Sequence, residues 1–340
     1  MFTFPLKALP QVVSWICFSA LLVLAASPAS AQTLTVLYSF AGPPDAAYPF
    51  GGLVRDAKGN LYGATAWGGT TNNGAVFAIS KRGVEKVLYS FQGGTDGAYP
   101  SASLVRDKAG NLYGTTPFGG DSTSCSNGCG TIFQITPAGD ESVLYRFTGG
   151  SDGSKPQAAL ILDRQGNLYG TTSEGGFFFW GTVFKLSPDG QLTTLYAFTG
   201  DIDGGGPMGA LVRDSKGNLY GTTQFMGAQY AGTVFKVSKS GIETVLYSFA
   251  GGSDGEFPQT GVVRDKQGNL YGTTPIVGSN FGTVYEITTR GKYHTLYIFT
   301  GQADGAGPVG GVIRDTKGNL YGTVSVGGAD GFGAVFKLTP

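Results

Sequence analysis

The pentapeptide Gly-Asn-Leu-Tyr-Gly starts at Gly59, Gly110, Gly166, Gly217, Gly268 and Gly318, and six copies of one segment commit the chain to a fold built by repetition. Each copy is preceded by LVRD or a near variant ending at Asp56, Asp107, Asp163, Asp214, Asp265 or Asp315. Each is followed by GTVFKL or a relative, and five of the six then continue into LYSF, LYRF, LYAF or LYIF. The unit is about 51 residues long. It holds four short runs of Val, Leu, Tyr, Phe and Thr separated by Gly, Asp, Asn and Pro, which is strand and turn composition. We label them a (LVRD), b (NLYGTT), c (GTVFKL) and d (TVLYSF). Four strands per unit make a propeller blade, so the expected architecture is all-β, a six-bladed β-propeller with four antiparallel strands per blade.

The connections support this. DxxGN between a and b is a tight hairpin, with Asp and Asn capping the turn and Gly supplying positive φ. Between d and the next a runs a GGxDGxxP loop, whose proline falls where strand a begins and no ladder donor is needed. From the glycine opening strand c (Gly74, Gly130, Gly181, Gly232, Gly282) to the next GNLYG the distance is 36 residues every time. Length variation therefore falls in the b-to-c loop. A β-solenoid is the main alternative, but its coils are nearer roughly 20 to 30 residues. The ends also suit a ring. The sixth copy stops after strand c at Gly333 to Leu338, while residues 33–40 read as a strand d with no copy before it. Joined, the two halves complete the sixth blade and remove the exposed edges of a linear array.

Residues 1–31 read as a secretory signal: Lys7, an apolar stretch from Val12 to Ala26, then Ala29, Ser30 and Ala31 as a small-residue cleavage site. The apolar stretch is short for a span, which needs roughly 20 residues. Cys17 lies inside it, so no lipid-modified N-terminal cysteine is expected. The mature chain, 32–340, is expected to be exported, secreted or periplasmic, without a membrane span, and monomeric. The 58 glycines of the full sequence belong to turns rather than to a disordered linker, because 17 Tyr and 23 Phe accompany them. The 23 basic residues balance 23 acidic ones and recur once or twice per repeat, so no basic stripe exists to follow phosphates and nucleic acid is not an expected partner.

Tandem LYSF, DG, GNLYGTT and GTVFKL units over residues 33–340 resemble the GloVer repeat family of exported bacterial proteins. Members of that family carry varied C-terminal surface anchors, and this chain, ending Lys337, Leu338, Thr339, Pro340, is expected to lack one. The resemblance implies no catalytic residue and no cofactor. More loosely, LVRDxxGNLYGTT is similar to the first hairpin of NHL and gluconolactonase-like propellers, an analogy of fold that does not fix function.

In such a blade the d-to-a and b-to-c loops share one face, here called the top. It carries Asp45, Asp96, Asp152, Asp203, Asp254 and Asp304 of the DG loops. Six carboxylates could hold a cation or work as acid and base, and Asp201 with Asp203 forms a DxDG fragment of a calcium loop. Ca²⁺ needs six or more oxygens, however, and Asp before Gly is above all a turn former. Arg55, Arg106, Arg213, Arg264 and Arg314, with Leu162 in the third blade, either ring the channel or pair with the adjoining Asp of a neighbouring blade. His294 is the only histidine, without a nucleophile or second ligand beside it. Cys125 and Cys129 share the b-to-c loop of the second blade and read as a disulfide in an exported protein. The b-to-c loops also hold Trp67, Phe118, Phe177, Phe178, Phe179, Trp180, Phe225, Tyr230, Phe281 and Phe332. Aromatics that vary between copies on a wet face suggest a ligand surface such as sugar-ring stacking, or else a plug in the channel. The reading is a non-catalytic propeller binding an extracellular carbohydrate or protein at its top face, with the first and third blades dominating. The alternative is a hydrolase or lyase using top-face carboxylates.

Overall fold

In the computed structural model, which describes residues 35–275 and 281–339, each repeat folds as an antiparallel sheet with strands a to d side by side in chain order. The fourth blade shows the pattern: a is Val212–Arg213, b Leu219–Thr223, c Thr233–Val237 and d Glu243–Ser248. Leu219 pairs with Val237, and Thr233 with Ser248. Five sheets have four strands and the sixth has three, giving a six-bladed β-propeller.

Strand c alternates so that one residue in two enters the space between blades. Phe133, Phe184, Phe235 and Tyr285 are fully buried there. Each meets, edge-on, the Phe that ends strand d of the blade before: Phe91 with Phe133 at 5.0 Å, Phe147 with Phe184 at 5.3 Å, Phe198 with Phe235 at 5.0 Å. Burial of such a ring is worth about 1.5 to 3 kcal/mol. The central glycine of strand b is what admits it, since a Cβ on Gly170 would fall 2.6 Å from the Phe184 ring.

The hairpin between a and b is held the same way in every blade. Asp214 accepts hydrogen bonds from the Asn218 backbone N–H and side-chain amide and from the Tyr220 hydroxyl. These donors hold its carboxyl below the usual range. The preceding arginine turns to its neighbour: Arg213 lies 5.2 Å over the Tyr169 ring and 4.0 Å from Asp163 of the third blade. Arg106, Arg264 and Arg314 cover Tyr62, Tyr220 and Tyr271 likewise. These arginines pair between blades rather than forming a free basic ring. Leu162 breaks the series, and there Gln134 donates to the Tyr113 hydroxyl at 3.1 Å instead.

The sixth sheet ends at strand c, Ala334–Leu338, which has no outer neighbour among the described residues. Residues 35–40, expected as that outer strand, carry no strand pairing, and Thr33 and Leu34 lie outside the described residues, as does the leader expected at 1–31. Phe40 nonetheless packs edge-on to Phe77 of the first blade at 4.8 Å, as Phe91 packs on Phe133. The segment thus makes the packing of a strand d without its hydrogen-bond ladder. Among the described residues, no helix is long and apolar enough to cross a membrane.

Candidate functional site

On the top face, the DG loops are anchored by their aspartates. The Asp45, Asp96, Asp152, Asp203, Asp254 and Asp304 carboxylates each accept a hydrogen bond from the tyrosine of the preceding d segment, at 2.8 to 3.1 Å. Each also accepts a backbone N–H at the end of that segment, as Asp203 does from Thr199 at 2.7 Å. These carboxylates thus hold their own loops, in line with the turn-forming role read from the sequence rather than with the acid–base or cation role weighed against it. Asp201 gains no acidic cluster with Asp203, and no group of three or more His, Cys, Asp or Glu suited to a metal occurs among the described residues. His294 lies on strand d of the fifth blade, opposite Glu286.

So anchored, the DG loop of five blades runs antiparallel to the b-to-c loop of the same blade, residues 276–280 of the fifth lying outside the described residues. Ala47 pairs with Trp67, Ala98 with Phe118, Ser154 with Glu174, Gly205 with Phe225 and Ala306 with Val326. The next residue, just before the loop proline, is forced to positive φ: Tyr48 58°, Tyr99 59°, Lys155 55°, Gly206 65°, Phe257 53° and Gly307 69°. Glycine adopts this backbone freely, whereas a residue with a Cβ is disfavoured by about 1 to 2 kcal/mol. Two blades use glycine, and the other four carry a side chain on this strained backbone.

What they display forms a continuous arc over the first two blades. Tyr48 meets Trp67 at 5.0 Å, Trp67 meets Tyr99 of the next blade at 6.1 Å, and Tyr99 meets Phe118 at 5.9 Å. Phe50 joins at 6.2 Å from Trp67. Tyr48, Phe50 and Trp67 are 62%, 65% and 39% exposed. The arc lines an open cleft of about 380 Å³ that ends at Gln157 of the third blade. There the two corresponding positions become an ion pair, Lys155 with Glu174 at 2.7 Å. Further round, Phe225 meets Phe257 at 6.0 Å.

Trp67 and Phe118, singled out in the sequence, thus come together with each other and with three rings that sequence reasoning missed. Tyr48, Phe50 and Tyr99 sit in the loop of constant length; the signal lay in its last residue changing from Tyr to Gly between copies. The other candidates stay apart. Trp180 is half-buried over glycine backbone, where a Cβ on Gly200 or Gly205 would fall 2.0 or 2.7 Å from its ring. Phe177 and Phe179 are exposed beside it, and Phe177 touches Phe178 at 4.9 Å. Tyr230 is 74% exposed and has no ring partner among the described residues. Cys125 and Cys129 form the expected disulfide, which closes the long loop beside Phe118.

Solved structures of other sequence align with this chain. A gluconolactonase of Xanthomonas campestris aligns at 17% identity over 84% of this chain and 83% of that one, with a TM-score of 0.47. A luciferin-regenerating enzyme aligns at 13% identity over 87% of this chain and 92% of that one, with a TM-score of 0.50. At such identities the likeness concerns fold alone. No curated protein matches the sequence. The model of the Gloeobacter/Verrucomicrobia repeat matches residues 23–178 and 122–336, spanning all six copies. The chain belongs to the Gloeobacter/Verrucomicrobia repeat family.

Proposed function

We propose that this protein is an exported, non-catalytic binding module that holds carbohydrate rings against the aromatic arc of its first two blades. The observation that carries this reading is the strained pair Tyr48 and Tyr99. Blades four and six adopt the same backbone with Gly206 and Gly307, so the fold itself does not call for tyrosine there. Strain kept where it could be relieved points to use of the side chain. A row of rigid rings on a rigid scaffold loses little entropy on binding, and each ring contributes about 0.5 to 1.5 kcal/mol beyond its burial. Tyrosine and backbone donors occupy at least one oxygen of each DG-loop carboxylate, and although Asp96 Oδ1 is buried without a partner among the described residues, this anchoring favours a loop-holding role for these groups over acid–base work.

The test is a calorimetric screen of the mature chain against neutral oligosaccharides, repeated with Trp67→Ala. Binding by the parent and at least tenfold weaker binding by the variant supports the reading. Equal affinity of the two places the ligand elsewhere.

A further inference from the structure

Tyr99 and Phe118 form a wall with two sides. One faces the arc's cleft. The other faces a cleft of about 440 Å³, shared with Asn73, Asp121, Ser122 and Asn127. That size is in the range of small-molecule sites, about 300 to 1,000 Å³. Its outer side is the b-to-c loop of the second blade, the longest of the six and the one closed by Cys125 and Cys129.

The polar groups here divide into two kinds. Asn73 donates to the Thr71 hydroxyl at 3.1 Å and to the Gln92 carbonyl at 3.0 Å, and Ser122 donates to the Thr148 carbonyl at 3.1 Å. Those side chains build the cleft. The side chains of Asp121 and Asn127 and the Tyr99 hydroxyl have no hydrogen-bond partner among the described residues, and Asp121 and Asn127 are exposed. Asp121 is the one charged side chain among the lining residues. A carboxylate accepts, an amide donates and accepts, and a phenol does both, which is the complement of vicinal hydroxyls. A lone carboxylate also repels an acidic ligand.

The geometry points to this cleft as the recognition half of the site: it takes a neutral, hydroxyl-rich sugar unit next to the unit stacked on the arc, with Asp121 and Asn127 bonding its hydroxyls. This rests on the carbohydrate reading above. Because the wall is shared, a ligand long enough to lie over Tyr99 and Phe118 meets both clefts at once.

The experiment is calorimetry of the mature chain with cello-, xylo- and manno-hexaose, and with an oligogalacturonate hexamer as the acidic probe. The expected result is binding of a neutral hexamer, weakened at least fivefold by Asp121→Ala and by Asn127→Ala and likewise by Asp121→Gly and Asn127→Gly, which relieve the positive φ that alanine would strain at both positions. Asp121→Asn should admit the acidic hexamer that the parent refuses. If both alanine variants bind like the parent while Trp67→Ala does not, the cleft is not a subsite and the arc stands alone. Binding of the acidic hexamer by the parent as tightly as a neutral one overturns the assignment of ligand class. A parent that binds no neutral hexamer overturns both this inference and the carbohydrate reading.

Discussion

Phe133 and Phe118 belong to the same blade and face opposite demands. Phe133 is fully buried, meets Phe91 at 5.0 Å, and has an aromatic counterpart on strand c of every blade. Phe118 is half-buried on the top face, and its counterparts are Trp67, Glu174, Phe225, Ile276 and Val326. The difference separates what the ring of blades needs from what one sector of it carries. Interior positions repeat because each blade must fill the same gap against the next. Mouth positions vary because the loop backbone is already fixed by its aspartate, whatever side chain stands there.

Loss of the repeated interior should have the largest effect on the molecule. Deleting residues 33–40 removes Phe40 from Phe77 and Tyr38 from Asp45, the contacts a strand d makes elsewhere. We propose that this segment also completes the sixth blade, so the deletion is expected to unfold or aggregate the protein. An unchanged Tm would refute closure. Phe133→Ala comes next, with a cost of about 3 to 5 kcal/mol in urea unfolding. A loss below about 1 kcal/mol would mean the inter-blade core is not packed as described.

A smaller effect tests the blade interfaces through pH. Glu141 and Glu243, at the start of strand d, are pushed up to about 7, by burial first and then by Asp96 and Asp203 of the loop before; Arg146 partly opposes this at Glu141. Their Oε1 atoms are buried without a partner among the described residues. A carboxyl with a raised folded-state pKa stabilises fully below its ordinary value and loses that contribution as pH rises through the folded one. Tm should therefore fall by a few degrees between pH 5 and pH 8. Glu141→Gln with Glu243→Gln should flatten that slope. The hairpin aspartates act oppositely, since Asp107, Asp163, Asp214 and Asp315 are held low, Asp315 at about 2. Their contribution is present above the ordinary carboxylate value and fades as pH drops through the folded one. A Tm that climbs steadily to pH 8 would contradict the glutamate assignment.

Much of this architecture is legible in the order of residues alone. Repetition specifies the blades, DxxGN the hairpins, and Arg beside Asp the pairing between neighbours that Arg213 makes with Asp163. The site is legible only in part. Variation in the b-to-c loops exposes Trp67 and Phe118, but the same signal points to Trp180, whose ring lies over the Gly200 and Gly205 backbone. Composition says that a loop holds an aromatic ring, not which way the ring faces. Tyr48 and Tyr99 are hidden because their loop never changes length, and their strained backbone is visible only as an angle.

The disulfide gives a still smaller stability effect. Cys125→Ser with Cys129→Ser opens a very short loop, so unfolding free energy should fall by on the order of 2 kcal/mol or less, with a correspondingly small drop in Tm. Glycan affinity should fall more than stability does, because this loop walls the cleft beside Phe118. Full retention of affinity would remove the loop from the site.

The most direct test of the separation between scaffold and site is Tyr99→Gly, with Tm and oligosaccharide affinity measured on the same preparation. The substitution makes the second blade resemble the sixth at Gly307, relieving positive φ while losing the contacts to Trp67 and Phe118. Strain relief of about 1 to 2 kcal/mol offsets most of that loss. The expected result is a Tm within a few degrees of the parent's and affinity at least tenfold weaker. A variant that loses stability and keeps its affinity would show that the arc plugs the fold instead of serving a ligand.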